Sequence, residues 1–206
     1  MGTPLIYPKS FYFIRHGESE WNVQKKFSGG QMDTPLTCKG IEQAKAAIAV
    51  LDKLSPQPTH LFHSTLSRAA DTAKILNHDG RYSMTPMNDL REIDAGEWQG
   101  ISNIVAVSNW ENGLTPKDGE GLDAFSARIQ KAFNKILSDQ NDTTPLIVAH
   151  GRILNGLDHL YGLPPRSLQA KNCQFLKFEP KDDEHYPWTI HAHDLMNGKI
   201  EKTRFF

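Results

Sequence analysis

Phe13-Ile14-Arg15-His16-Gly17-Glu18 and, far downstream, Leu146-Ile147-Val148-Ala149-His150-Gly151 decide how this chain reads. Each is an apolar run that stops abruptly at His-Gly. Such a run predicts a buried strand, and the glycine predicts the tight turn at its end. Parallel strands bring their C-terminal ends to one edge of a sheet, where ligands of open α/β sheets bind. Two strands that end in the same dipeptide would therefore place two imidazoles and the Arg15 guanidinium together.

Outward from these runs, strands alternate with helices. Residues 10–15 predict the first strand and Thr37 to Leu54 a helix, capped by Thr37, with Ile41, Ala44, Ile48 and Leu51 as its apolar stripe. Residues 59–63 predict the next strand, and Leu66 to Asn77 a helix. Pro86 and Asn88-Asp89 mark a loop before Leu90, and residues 91–100 have no clean period. A longer helix is expected from Glu120 to Asp139, where Leu122, Phe125, Ile129, Ala132, Phe133 and Ile136 repeat at three and four as core packing does. Residues 145–149 are a strand and Arg152 to Tyr161 a helix. Gln174–Phe178 and Trp188–His193 are two late strands, joined through a solvated turn at Lys181-Asp182-Asp183-Glu184. The alternation predicts a three-layer α/β/α sandwich around a mostly parallel central sheet. No repeat and no dividing linker is present, so residues 1–206 are expected to form one domain.

A hydrophobic fraction of 38%, a charged fraction of 23% and a net charge of −1 fit a soluble globular protein. They argue against bulk binding of nucleic acid or an anionic membrane surface. No apolar run has the length of a membrane span, and Met1 to Lys9 lack the pattern of a secretory signal. Cys38 and Cys173 stand alone, as in a reduced, cytoplasmic compartment. No large basic patch is visible, which argues against highly phosphorylated ligands, and nothing sets an oligomeric state.

The segment Ser64-Thr65-Leu66-Ser67-Arg68 starts where the second strand should end, so Arg68 falls near a helix start, where free amides and a guanidinium both suit phosphate. Arg15, His16, Arg68 and His150 can then share one edge. Two guanidiniums can hold the nonbridging oxygens of a phosphoryl group and leave one imidazole to attack phosphorus. Charge-assisted hydrogen bonds contribute about 1.5–3 kcal/mol each, enough in combination to hold a phosphate dianion without a metal. An imidazole with a pKa of about 6.5 is a competent nucleophile near neutrality. Three nearby carboxylates, Glu92, Asp94 and Glu97, compete on equal terms as proton carrier. His60 and His63 flank a strand and His191 and His193 share one strand face; hydrogen-bonded or surface histidines are the expected reading, not a metal site.

Taken in order, Arg15-His16-Gly17-Glu18 with Trp21-Asn22, Asp33-Thr34-Pro35-Leu36-Thr37 with Gly40, Ser64-x-Leu66-x-Arg68-Ala69 with Thr72-Ala73, Leu90-x-Glu92 with Gly96 and Gly100, and Ala149-His150-Gly151 resemble the histidine phosphatase superfamily. That group includes cofactor-dependent phosphoglycerate mutases and many related phosphatases. The resemblance implies that His16 becomes a phosphohistidine, that Arg15, Arg68 and His150 complete the phosphate pocket beside Gly151, and that Asn22 also reaches the phosphate. It makes Glu92 the general acid/base. No metal or other cofactor is expected, and the partner is a small phosphorylated substrate.

Two positions depart from the pattern. Residues 27–33 run one residue longer than the mutase spacing and lack its tryptophan, and Gln99 stands where a glutamate is common. Ser28, Gly29 and Arg152 are candidate substrate contacts. Residues 101–120, with Trp110, Asn112 and Lys117, are expected to overhang the pocket, and Ser28 to Met32 to form another wall. The family mutases carry a long insert after the Glu92 segment; the short one here favours hydrolysis of a phosphomonoester over mutase transfer. A non-catalytic phospho-ligand module is the third alternative.

Overall fold

A computed structural model describes residues 4–138, 143–183, 185–193 and 200–202. The first apolar run forms β1 (Phe11–Arg15), followed by β2 (His60–Ser64), β3 (Ser83–Met87) and β4 (Pro145–Ala149), all parallel to one another. Then come β5 (Phe175–Pro180), β6 (Trp188–His193) and β7 (Ile200–Lys202), which run antiparallel to their neighbours. The sheet order is β3-β2-β4-β1-β5-β6-β7. The four parallel strands carry the edge at which both His-Gly turns lie.

Side-chain alternation sorts the sheet into two faces. Phe11, Phe13, Ile147 and Ala149 point into one core and Tyr12, Ile14, Leu146 and Val148 into the other. The first core is closed by α5 (Leu122–Leu137) and α6 (Gly151–Leu160) and by Ala106 and Trp110 of α4 (Asn103–Glu111). The second is closed by α2 (Cys38–Leu51) and α3 (Ser67–Leu76). A one-turn α1 (Glu20–Val23) follows β1. Helices on both faces explain why β4 is buried at all five residues and reads as an unbroken apolar run.

Several boundaries move for physical reasons. Thr37 caps α2 as expected, its hydroxyl accepting from the Gly40 amide at 3.0 Å. The helix stops at Leu51 rather than Leu54, because Gln57 turns back and donates to the Leu51, Asp52 and Leu54 carbonyls. α5 starts at Leu122, and the expected end at Asp139 lies outside the described residues, as do Glu184 of the solvated turn and the first three residues. A strand that was not expected, β3, takes in Pro86 of the loop expected before Leu90; the proline is tolerated because β3 is an edge strand paired only with β2. α4 was not expected either. Ile104 and Val105 are exposed while Ala106 and Trp110 are buried, so its apolar residues give no single stripe.

Candidate active site

β1 and β4 lie side by side with Arg15 level with Ala149, so His16 and His150 are the next residue on each strand. The His16 amide donates to the Ala149 carbonyl at 3.0 Å, and the two imidazoles sit with centroids 5.1 Å apart. On the other side of β4, β2 ends at Ser64, and α3 begins three residues later with Arg68 in its first turn. The turn after His16 is tight because Gly17 packs on Gly40; a Cβ on Gly17 would lie 2.4 Å from the Gly40 carbonyl oxygen. The four residues are thus assembled by parallel pairing and one helix start.

His16, Arg68 and His150 are 3%, 1% and 0% exposed. His16 Nδ1 lies 2.7 Å from the Gly17 carbonyl oxygen, which can only accept. The proton therefore sits on Nδ1 and the lone pair on Nε2. Burial, then the charges of Arg68 and Arg15, push the His16 pKa well below 6.5. The ring is neutral near pH 7. His150 is held by Ser64, whose Oγ lies 2.8 Å from Nε2. Ser64 Oγ also accepts from the Leu66 amide at 3.3 Å and keeps its own proton to give to His150 Nε2; in that arrangement the His150 proton is on Nδ1. Burial likewise drives the His150 pKa well down.

The two guanidiniums are anchored from behind. Arg15 donates to the Ala170 carbonyl at 3.2 Å, and Arg68 to the Met32 and Gly29 carbonyls at 3.2 and 3.1 Å. Thr72 ties the pieces together, accepting from the Gly17 amide and donating to the Arg68 carbonyl. Around His16, three nitrogens are buried with no hydrogen-bond partner among the described residues: Arg15 Nε, Arg68 Nε and His150 Nδ1. An unpaired buried donor costs about 1–3 kcal/mol, more when charged. A phosphoryl group is an acceptor on every face and matches such a set.

Glu92 is 8% exposed and faces the same cavity. Its carboxylate accepts from the Ile93 amide at 3.2 Å and from the Arg152 amide, in the first turn of α6, at 3.3 Å. Burial raises its pKa, against the opposing pull of Arg152 and Arg68. The two competitors lie elsewhere: Asp94 accepts from Gln31 and the Gly96 amide, and Glu97, exposed, accepts from the Lys117 amide. Neither lines the cavity. Arg128 of α5 fixes the Glu92 loop by donating to the Asp89, Arg91 and Glu92 carbonyls while paired with Glu120.

The cavity has a volume of about 430 Å³, with Asn22, Ser28, Gly151 and Arg152 on its walls besides Arg15, His16 and Glu92. Asn22 Oδ1 is occupied by the Ser19 amide and Asn172, which leaves its NH₂ group as the free donor. Gly29, Arg68 and His150 are not on the wall: Gly29 sits behind Arg68, and His150 lies against the His16 ring. From residues 101–120, Asn103, Ile104 and Val107 reach the cavity, whereas Asn112 and Lys117 do not, and Trp110 lies under Arg152. Sequence reasoning assigned no role to Ser64 and Thr72, which lie within the quoted motif, and passed over Arg128 and Asn172. Asn172 donates to the His16 carbonyl at 2.8 Å, and no local pattern marks it. Of the other singled-out histidines, His60 pairs with Thr85, His63 with the Ser64 carbonyl and His191 with Glu179, whereas His193 Nε2 is buried with no hydrogen-bond partner among the described residues. Among the described residues, no three histidines, cysteines or carboxylates cluster as a metal-holding group, and no helix is long and apolar enough to cross a membrane.

Comparison with known proteins gives the family and the fold. The chain is 32% identical to the "Probable phosphoglycerate mutase GpmB" of Proteus mirabilis (strain HI4320), over 93% of this chain and 90% of that one. Among solved structures, the alpha-ribazole phosphatase of Shigella flexneri is 28% identical with a TM-score of 0.71, covering 84% of this chain and 91% of its own. A mycobacterial glucosyl-3-phosphoglycerate phosphatase in complex with VO3 is 27% identical with a TM-score of 0.70, covering 83% and 92%. The profile of the histidine phosphatase superfamily (branch 1) matches residues 11–193, and the chain belongs to that family.

Proposed function

We propose that the chain, working as one domain, hydrolyses phosphomonoesters through a phosphohistidine on His16. One observation carries the reading: a neutral imidazole with its lone pair on Nε2 stands beside three buried donors that lack protein partners. In the first step Nε2 attacks phosphorus, the bond from phosphorus to the alcohol oxygen breaks, and Glu92 gives its proton to that oxygen. In the second, Glu92 takes a proton from water, the hydroxyl attacks phosphorus, and the phosphorus–nitrogen bond breaks to release inorganic phosphate. The raised pKa of Glu92 suits the first step. Arg15, Arg68 and His150 supply the positive charge and donors that the equatorial oxygens need, so the cycle requires no divalent metal and no cofactor. Asn22 adds a further donor, and Gly151 lies on the cavity wall beside Arg15.

Hydrolysis is favoured over intramolecular transfer because the cover is short. Residues 101–121 hold a single helix, α4, and a cover this short should give water better access to the phosphohistidine. Phosphoglycerate mutase-type transfer is the second reading, favoured by the name of the Proteus mirabilis relative. The unpaired thiols of Cys38 and Cys173 fit a cytoplasmic setting.

The test uses p-nitrophenyl phosphate and a panel of alkyl phosphates. Inorganic phosphate should appear, activity should persist in excess chelator, and a brief incubation should leave a label on His16 that is lost in acid and kept in alkali. Label on another residue, or isomerised ester without phosphate release, would overturn hydrolysis at His16.

A further inference from the structure

Between α6 and β5 the chain runs from Tyr161 to Gln174 without a helix or strand, yet this stretch backs the phosphate cradle. Its Ala170 carbonyl accepts from Arg15 at 3.2 Å, and among the described residues no other hydrogen bond holds the Arg15 guanidinium. An irregular segment needs outside anchors to place one carbonyl. After Ala170, Asn172 donates to the His16 carbonyl at 2.8 Å, and the Cys173 amide donates to the Arg15 carbonyl at 2.9 Å. Before Ala170, the anchor is Asp158 of α6. Its two carboxylate oxygens accept from the Leu168 amide at 3.1 and 3.2 Å, and its carbonyl accepts from the Leu163 amide at 2.8 Å. Left-handed residues flank the stretch between the anchors, Arg166 at φ 64° and Cys173 at φ 57°. A residue with a Cβ keeps that conformation only where its surroundings enforce it.

Asp158 is 1% exposed, and no cation pairs with it among the described residues. Burial raises its pKa to about 6, while the Leu168, Ser167 and Arg166 amides and the Asn155 side chain favour the charge. A buried carboxylate without a counter-ion is costly, and packing alone would be served as well by a leucine. Asp158 does not line the cavity that holds Arg15, His16 and Glu92, so it has no direct part in the chemistry. We propose that Asp158 is a positioning residue for phosphoryl transfer: it pins Leu168 to α6, so that the Ala170 carbonyl holds Arg15 in reach of the phosphoryl oxygens. The same helix starts beside His150, and the Arg152 amide in its first turn bonds Glu92. One rigid element thus sets His150, the acid and, through Asp158, the Arg15 guanidinium. The proposal rests on the phosphatase reading for the role of Arg15, although its effect is also readable in binding.

The test is a double-mutant cycle between Asp158 and Arg15. Asp158→Leu keeps the bulk without an acceptor, and Asp158→Asn keeps one acceptor oxygen; each is made alone and together with Arg15→Gln. Calorimetry follows binding of inorganic phosphate, and steady-state kinetics follows phosphate release from p-nitrophenyl phosphate, both on protein shown to be folded by circular dichroism. Asp158→Leu should lower kcat/KM by roughly 10- to 100-fold, as when a positioned group is displaced by about 1 Å, and should weaken phosphate binding by roughly tenfold. Asp158→Asn should lose roughly threefold in each, since one acceptor remains. With Arg15→Gln already in place, either change should cost less than about twofold. Equal losses in the two backgrounds would overturn the proposal, because Asp158 would then act on the fold or on another part of the site. Full activity in folded Asp158→Leu would overturn it too. If Asp158→Leu does not fold, the Asp158→Asn cycle decides on the same terms. Phosphate binding without release from the ester defeats only the phosphatase reading, and the binding cycle still decides the placing of Arg15; release with additive losses defeats only the pin.

Discussion

The inner cradle and the outer wall of one cavity are built on opposite principles. His16, Arg68 and His150 are buried, locked by hydrogen bonds to the Gly17, Gly29 and Met32 carbonyls and with the Ser64 hydroxyl, and set by the ends of parallel strands and one helix. Lys25, Lys26 and Arg166 are exposed, and Ile104 beside them is 75% exposed. A dry, preorganised cradle strengthens every charge interaction made inside it, whereas a wet wall is screened. The cradle is suited to holding a transition state and the wall to choosing what enters. Chemistry should therefore fail steeply when the inner set is altered, and selectivity should change gradually at the rim.

The steepest break is His16→Ala. Losing the nucleophile removes the covalent step altogether, so phosphate release should fall by roughly 10⁴-fold or more, as when a nucleophile is deleted from an enzyme that acts through a covalent intermediate. Steady-state release from p-nitrophenyl phosphate measures it. A loss below about tenfold would mean that another group attacks phosphorus and that the cradle only binds.

Glu92→Gln comes next and lies at the seam between the two regions. Turnover of an alkyl phosphate should drop by roughly 10²–10⁴-fold. First-step transfer from p-nitrophenyl phosphate should suffer less, because that leaving group needs little protonation, and burst kinetics separates the two steps. The pH profile gives the sign. Glu92 must hold a proton for the first step and its pKa is raised, so activity on alkyl esters should fall as pH climbs through that raised value. His16 must be neutral and its pKa is lowered well below 6.5, so no loss should appear as pH falls through 6.5 from the imidazole alone. Glu92→Gln should flatten the alkaline limb. If Asp94→Asn or Glu97→Gln flattens it instead, the acid is misassigned.

The same contrast explains what was legible in the sequence. His16 and His150 stand out because a buried parallel strand must be apolar on both faces, so a polar residue at its end is conspicuous. Arg68 is placed by the helix that follows β2. Glu92, Asp94 and Glu97 cannot be ranked by spacing, because a loop has no period; only burial and the amide of Arg152 separate them. Gly29 illustrates the converse. Its place next to Ser28 suggests a substrate contact, yet the left-handed turn at φ 58° sends its carbonyl to Arg68 and takes it off the wall. The outer cations were illegible because long-range folding gathers Lys25, Arg152 and Arg166, and Arg128 and Asn172 act on the site through backbone carbonyls that leave no motif.

A smaller effect is expected behind the cradle, at Ser64→Ala. The substitution removes the donor to His150 Nε2 and leaves that nitrogen buried without a partner, at a cost of about 1–3 kcal/mol. The His150 proton is then free to move to Nε2, away from the phosphoryl side. Turnover should fall roughly tenfold with the nucleophile untouched, so phosphohistidine should still form on His16. Stability to urea should fall in parallel. Full turnover together with lost stability would show that Ser64 serves the fold and not the tautomer.

The least effect is expected at Gln99→Glu, which restores the residue common in the family. Gln99 donates to the Ser28 carbonyl at 3.3 Å, a bond that a glutamate cannot make. Losing one partly buried neutral hydrogen bond is worth about 0.5–1.5 kcal/mol. The bond steadies the Ser28 segment of the wall and touches neither His16 nor Glu92. KM should therefore rise by roughly threefold to tenfold while kcat stays within about twofold. Gln99→Ala separates the lost bond from the added charge: a like rise in KM assigns the effect to the bond, and a larger rise in the glutamate variant, growing as salt is lowered, assigns the remainder to repulsion of the anionic ester. If kcat instead falls as far as it does in Ser64→Ala, the wall takes part in the chemistry and the division between cradle and wall fails.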